Sequence, residues 1–136
     1  MGGTDLVEEA RHWRQAAGGG MRQAGIIAAA GIVALDTMVD RLAQDHAHAK
    51  RLAELLAEAG LVLDGPPEEV ETNIVFAEVP AELMDAGVFV ERLVAEGVTV
   101  NPPRGRRIRL ITHHNISVED IEAAGAAVRR VLGRRS

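Results

Sequence analysis

Apolar positions in the first 60 residues recur at helical spacing, and the punctuation between them predicts three helices. The first starts near Thr4 or Asp5, where Asp5 and Glu8 fit a capping box, and stops at Gly18-Gly19-Gly20. The second covers about Met21 to Leu35. After Arg22 and Gln23 it is apolar on every side and built from small residues, a pattern that belongs to an enclosed helix. The third is capped at Asp36 or Thr37 and runs to Ala59, with Leu42, His46, Ala49, Ala53 and Leu56 as its inward stripe and Gly60 as its stop.

Beyond Gly60 the period shortens. Leu61–Leu63, Thr72–Val79, Val98–Val100 and Arg107–Thr112 read as strands. Met84–Glu96 reads as a helix, and Ser117 with Asp120 opens a last helix on which Val118, Ile121, Val128 and Leu132 share a face. The order β-β-α-β-β-α predicts an α+β domain: a small, mostly antiparallel sheet with helices on one face, preceded by long helices. Two amphipathic helices and one small sheet cannot enclose the second helix, so a partner surface is expected from outside these residues.

Composition narrows the chemistry. With no cysteine there is no thiolate zinc site and no cysteine nucleophile. The net charge is -5 and the aromatic residues are Trp13, Phe76 and Phe89, so base-stacking platforms are scarce. A nucleic-acid surface built from Arg104, Arg106, Arg107, Arg109, Arg129, Arg130, Arg134 and Arg135 therefore ranks low, and no nucleic-acid partner is expected. The N-terminus shows no signal-peptide pattern. The run Ala24–Leu35 would span only ~18 Å of a ~30 Å hydrocarbon core, so no membrane partner is expected and the cytoplasm is the default compartment.

Few side chains point to chemistry. Of the 15 basic residues only Lys50 is a lysine, and it reads as a solvated helix residue. His46 and His48 point about 200° apart on a helix, and His113 and His114 point to opposite faces of a strand end, so neither pair can share an ion and no metal site is expected. Ser117 reads as a helix cap rather than a nucleophile. Gly18-Gly19-Gly20-Met21-Arg22-Gln23 is either a hinge or an anion site made of free N–H groups and the Arg22 guanidinium in the helix's first turn. Strand alternation sets Ile108, Leu110 and Thr112 against the helices and turns Arg107, Arg109 and Ile111 away. Arg109 is there either a solvated strand residue or a bidentate carboxylate grip.

The stretch Glu9-Ala10-Arg11-His12-Trp13-Arg14-Gln15-Ala16-Ala17-Gly18-Gly19-Gly20-Met21-Arg22-Gln23-Ala24-Gly25 resembles a segment of the low-specificity L-threonine aldolases that follows their cofactor lysine. The resemblance continues through Ile26–Gly31 and Arg41–His46, and returns at Thr72–Phe76 and Ile108–His113. It implies the fold of aspartate aminotransferase, the fold type I of pyridoxal-phosphate-dependent transferases. It also implies a lyase of amino-acid metabolism that cleaves threonine and other β-hydroxy-α-amino acids to glycine and an aldehyde.

On this resemblance, residues 1–36 would be the end of the large cofactor domain with its buried helix, and 37–136 the small C-terminal α+β domain. The chain would be the C-terminal portion of such an enzyme: Ser136 fits a natural C-terminus, and Met1 falls midway along a family chain. The lysine that binds pyridoxal 5'-phosphate, the aspartate under its pyridine nitrogen, the stacking histidine and the main phosphate loop would lie upstream, so no catalytic residue is expected in this chain. Two roles carry over by position: Arg109 as the arginine that grips the substrate carboxylate, and Arg22 as the arginine near the cofactor phosphate at a subunit interface. A homo-oligomer is implied. Gln15 stands where many members carry a lysine, so that cationic contact is not carried over. The alternative is a stand-alone, non-catalytic module that keeps the fold and self-associates through the second helix.

Overall fold

The computed structural model describes residues 2–133. The chain divides into two compact units, Met1–Val39 and Asp40–Ser136.

The first unit is a pair of helices. α1 spans Thr4–Ala16 and α2 spans Gly25–Thr37. α1 begins one residue before Asp5, with Gly3 at its cap position and no side-chain cap, so the expected Asp5–Glu8 box does not form. Asp5 lies inside the first turn instead, where its charge still faces the positive helix end. The glycine run closes α1 by a Schellman arrangement. Gly18, at φ +81°, donates to the Gln15 carbonyl and Gly19 donates to the Arg14 carbonyl. A side chain at Gly18 would be strained by that φ. α2 starts at Gly25, four residues later than expected, and extends through Thr37. Thr37 is therefore not a cap for the next helix; its hydroxyl donates back to the Val33 carbonyl one turn earlier (2.7 Å). None of α2 is buried, and Ile26 is 80% exposed.

The second unit is the α+β layer pair. In order it comprises α3 (Leu42–Glu58), β1 (Val62–Leu63), a 3-10 turn at Pro67–Glu69, β2 (Ile74–Glu78), α4 (Ala86–Ala95), β3 (Arg107–Ile111) and α5 (Val118–Val131). The strands form one antiparallel sheet in the order β1-β2-β3. Val98–Val100, expected as a fourth strand, belongs to no strand and has no strand pairing. Its β-branched residues suit a pleated surface, but strand identity needs a partner ladder.

Alternation along β2 and β3 gives the sheet two different faces. Val75, Ala77, Ile108 and Leu110 are buried; Ile74, Phe76, Arg107, Arg109 and Ile111 are exposed. The covered face joins Leu55 and Leu56 of α3, Phe89 and Leu93 of α4 and Val128 of α5 in one core. Each such fully buried large side chain contributes about 1.5–3 kcal/mol. The inward stripe of α3 is rotated from expectation: Asp45, His48, Leu52 and Leu55 are buried with Ala49, Ala53 and Leu56, while Leu42 is exposed. On α5, Ile121 and Val128 face inward as expected, with Gly125, Ala127 and Val131, but Val118 is exposed. Gly60, at φ +93°, ends α3 by the same Schellman pattern as Gly18, with Leu61 donating to the Leu56 carbonyl.

Candidate functional site

Arg109 is the middle residue of β3, on the sheet face away from the helices, and its register partner on β2 is Phe76. It lines an open groove of about 770 Å³, bounded by Val98–Asn101, by Arg109–His113 and by the first turns of α5. Two residues away on the same face, Arg107 has a different environment. Its guanidinium lies 4.2 Å from the Phe76 ring centroid and pairs with Asp64. Arg106 is half-buried and donates to the Val79 and Met84 carbonyls (3.1 Å to Met84). Among the described residues, Arg109 has no carboxylate within ion-pair distance.

The acidic groups around the groove are already engaged. Glu96 accepts from Arg130 at 2.8 Å. Asp120 completes a capping box with Ser117, accepting from its backbone N–H at 2.9 Å and from its hydroxyl at 3.0 Å. Those two bonds hold the Asp120 carboxyl below its ordinary value of 3.8. The His113 ring accepts from the Asn115 backbone N–H at 3.3 Å. The groove thus presents one uncompensated guanidinium with fork geometry. That is the requirement for a bidentate carboxylate or phosphate contact.

Arg22 lies in the turn Arg22–Ala24 ahead of α2, not in the first turn of a helix opened by the glycines. The N–H groups of Gly18, Gly19 and Met21 are taken by backbone carbonyls, which leaves Gly20 as the one glycine of the run whose N–H has no acceptor among the described residues. What remains there is an exposed Arg22 beside Gln23, which adopts φ +55°. Lys50 is exposed on α3. Of the paired histidines, His46 is half-buried and His48 is buried with its Nδ1 lacking a hydrogen-bond partner. Of the basic residues considered as a nucleic-acid surface, Arg106, Arg107 and Arg130 are engaged within the protein; Arg134 and Arg135 lie outside the described residues. No helix among the described residues is long and apolar enough to cross a membrane.

Asp64 and Phe76 engage Arg107 and so distinguish it from Arg109, a pairing that is not legible in the sequence. Their signal was weak: Asp64 precedes a Gly-Pro loop, and pairing it with Arg107 requires the strand register. The polar contacts under β3 carry a signal as weak. Thr112, 1% exposed, donates its hydroxyl to the Asp45 carbonyl at 2.7 Å, and the Asn73 side chain donates to the Thr112 carbonyl at 2.6 Å. The available hint was one threonine in an otherwise aliphatic inward row.

Comparison with known proteins agrees on one family. The family model described as beta-eliminating lyase matches residues 1–82. The chain is 39% identical over 134 residues to a low specificity L-threonine aldolase of Escherichia coli (strain K12), covering 98% of this chain and 38% of that protein. It is 38% identical over 123 residues to a probable low-specificity L-threonine aldolase 2 of Arabidopsis thaliana, covering 90% of this chain and 34% of that one. The chain therefore spans little more than a third of the length of these relatives. Among solved structures, an ornithine aminotransferase from Toxoplasma gondii matches with a TM-score of 0.53 at 17% identity, over 75% of this chain and 24% of that one. A SepCysS-SepCysE N-terminal domain complex matches with a TM-score of 0.52 at 13% identity, over 70% and 27%. At such identities these two establish likeness of fold alone. By the match of its first 82 residues, more than half its length, the chain belongs to the beta-eliminating lyase family, and within that family it is similar to low-specificity L-threonine aldolases.

Proposed function

We propose that this chain acts as the C-terminal part of a pyridoxal-phosphate-dependent L-threonine aldolase, which cleaves threonine and related β-hydroxy-α-amino acids to glycine and an aldehyde. Residues 1–36 end the large domain and 37–136 form the small one. The missing N-terminal domain, in the same polypeptide or a partner chain, supplies the cofactor lysine, and the complete enzyme is a homo-oligomer. The residues present do not fit covalent attachment of the cofactor. Lys50, the single lysine, is solvated on α3 and does not line the groove that holds Arg109. No bond-breaking step is assigned to this chain.

Its contribution is orientation. Arg109 grips the substrate α-carboxylate, and Arg22 faces the cofactor phosphate. The observation that carries this reading is the uncompensated Arg109 guanidinium at the groove, beside an Arg107 already held by Asp64 and Phe76. A carboxylate held by two N–H groups cannot rotate, so the bond to be broken is aimed before chemistry begins.

The test is reconstitution. Substituted for the matching 38% of the Escherichia coli relative, this chain should support threonine cleavage. Arg109→Ala should then raise KM for L-threonine by roughly 10- to 100-fold, the equivalent of losing hydrogen bonds to a charged group. Unchanged KM and kcat would remove the carboxylate role.

A further inference from the structure

We propose that Thr112 and Asn73 are positioning residues for Arg109, fixing the strand that presents its guanidinium; the proposal rests on the carboxylate reading of Arg109. β3 lies at the edge of the sheet, with β2 on one side; on its outer edge the Arg104–Arg107 bridge, two backbone bonds of 2.9 and 3.1 Å, holds its first residue, and no strand pairs with the rest among the described residues. Both of its ends are clamped. Before β3, Arg106 donates to the Val79 and Met84 carbonyls, and the Val79 N–H donates to the Arg106 carbonyl at 3.0 Å. After β3, Thr112 uses every polar group it has. Its N–H donates to the Asn73 carbonyl at 3.0 Å, its carbonyl accepts from Asn73 Nδ2 at 2.6 Å, and its hydroxyl donates to the Asp45 carbonyl at 2.7 Å. Arg109 is midway between the clamps.

The second clamp acts in two directions. Asn73 extends the β2–β3 register by one rung beyond Ile74 and Ile111, which fixes β3 along the sheet. The Thr112 hydroxyl ties β3 to the first turn of α3, which fixes it across the layers. That turn is itself held, because Arg41 forks onto the Asp45 carboxylate with two bonds of 2.9 Å. Valine in place of Thr112 would preserve the shape, so shape alone does not require the hydroxyl. A buried hydroxyl is costly unless bonded, and here its bond is the only side-chain link from this strand end to α3 among the described residues.

The experiment uses the full chain, labelled for NMR at arginine side chains and backbone amides, with glycine as the carboxylate probe. The Arg109 Nε–Hε signal should shift saturably with glycine. Thr112→Val should raise the midpoint at least fivefold and speed amide exchange along β3 about tenfold relative to α5, while Thr112→Ser restores both. Asn73→Ala, at a half-buried position, should move both in the same direction by less, and decides the matter if Thr112→Val does not fold. A wild-type midpoint and a wild-type ratio of β3 to α5 exchange in the folded variants overturn the positioning role alone. Absence of any glycine response at Arg109 in the wild type overturns the carboxylate reading, and the positioning role with it, even if β3 loosens in the variants.

Discussion

Arg107 and Arg109 are the same side chain on the same face of one strand, and their neighbours divide their roles. Asp64 and Phe76 occupy Arg107, while Arg109 has no carboxylate within ion-pair distance among the described residues. Strand alternation alone places both arginines outward; only the β2–β3 register brings Phe76 into line with Arg109 and lets Arg107 reach its ring. Ser117 was legible from sequence because a capping box is a local device, needing only the residue three positions on. Its partner also predicts an acid sensitivity. The Asp120 carboxyl is held below its ordinary value of 3.8 by the bonds from Ser117, and Glu122 below 4.5 by the Arg51 guanidinium. A carboxyl with a lowered folded-state value contributes stability that is complete above the ordinary value and is lost as pH falls through the folded one. Thermal melts should therefore weaken below about pH 4. Asp120→Asn should lower the melting temperature near neutral pH, where the ionised carboxylate contributes, and flatten the acid part of the profile; a profile identical to wild type would refute it.

At the scale of elements, the contact between α3 and α5 shows how a local preference is overridden. Alanine normally stabilises a helix interior by about 1 kcal/mol over glycine. Gly125 is buried on α5, and a Cβ there would lie 2.7 Å from Leu55 Cδ1 and 3.0 Å from Leu55 Cβ. Leu55 is fully buried, and its Cβ can move only with the α3 backbone. Gly125→Ala should thus destabilise by about 1–3 kcal/mol, the range of overpacking, read as a lower melting temperature. Helix ends marked by Gly18, Gly60 and Gly97 were visible in the sequence, because positive φ is a one-residue demand. The stripe of α3 was not. Asp45 counts as polar in any periodicity, and its burial depends on Arg41 one turn before it and on Thr112, just past the end of β3 and 67 residues away. Val98–Val100 shows the converse: a strand pattern without a strand, because alternation cannot supply a ladder.

For the molecule as a whole, the apolar α2 sets the behaviour of the isolated chain. Ile26, Ile27, Ile32, Val33 and Leu35 are all more than half exposed. An apolar surface of that extent promotes association. The 136-residue chain should elute in size exclusion above its 14.5 kDa monomer mass as concentration rises. Ile26→Glu with Ile32→Glu should return it to monomer without lowering the melting transition of the second unit. A monomer in the unaltered chain would argue against an enclosed role for α2. A self-associating chain that also replaced no part of the Escherichia coli relative would favour a stand-alone interaction module. Added pyridoxal 5'-phosphate should give no protein-bound absorption band that Lys50→Ala abolishes, since a reactive lysine needs burial or cationic neighbours to lower its proton affinity. Such a band would overturn the assignment of the cofactor lysine to another segment.

The sequence by itself determined what depends on neighbours along the chain: helix stops at glycine, the Ser117 cap, the alternation that turns Arg109 outward, and the GGGMRQ stretch that carries the family resemblance. Tertiary structure decided what depends on residues far apart in sequence: which arginine is already paired, which polar groups are buried and bonded, and whether an extended segment finds a ladder. Local signals are set by backbone geometry over a few residues. Pairing and burial are set by packing, and for packing the position along the chain is no guide to distance.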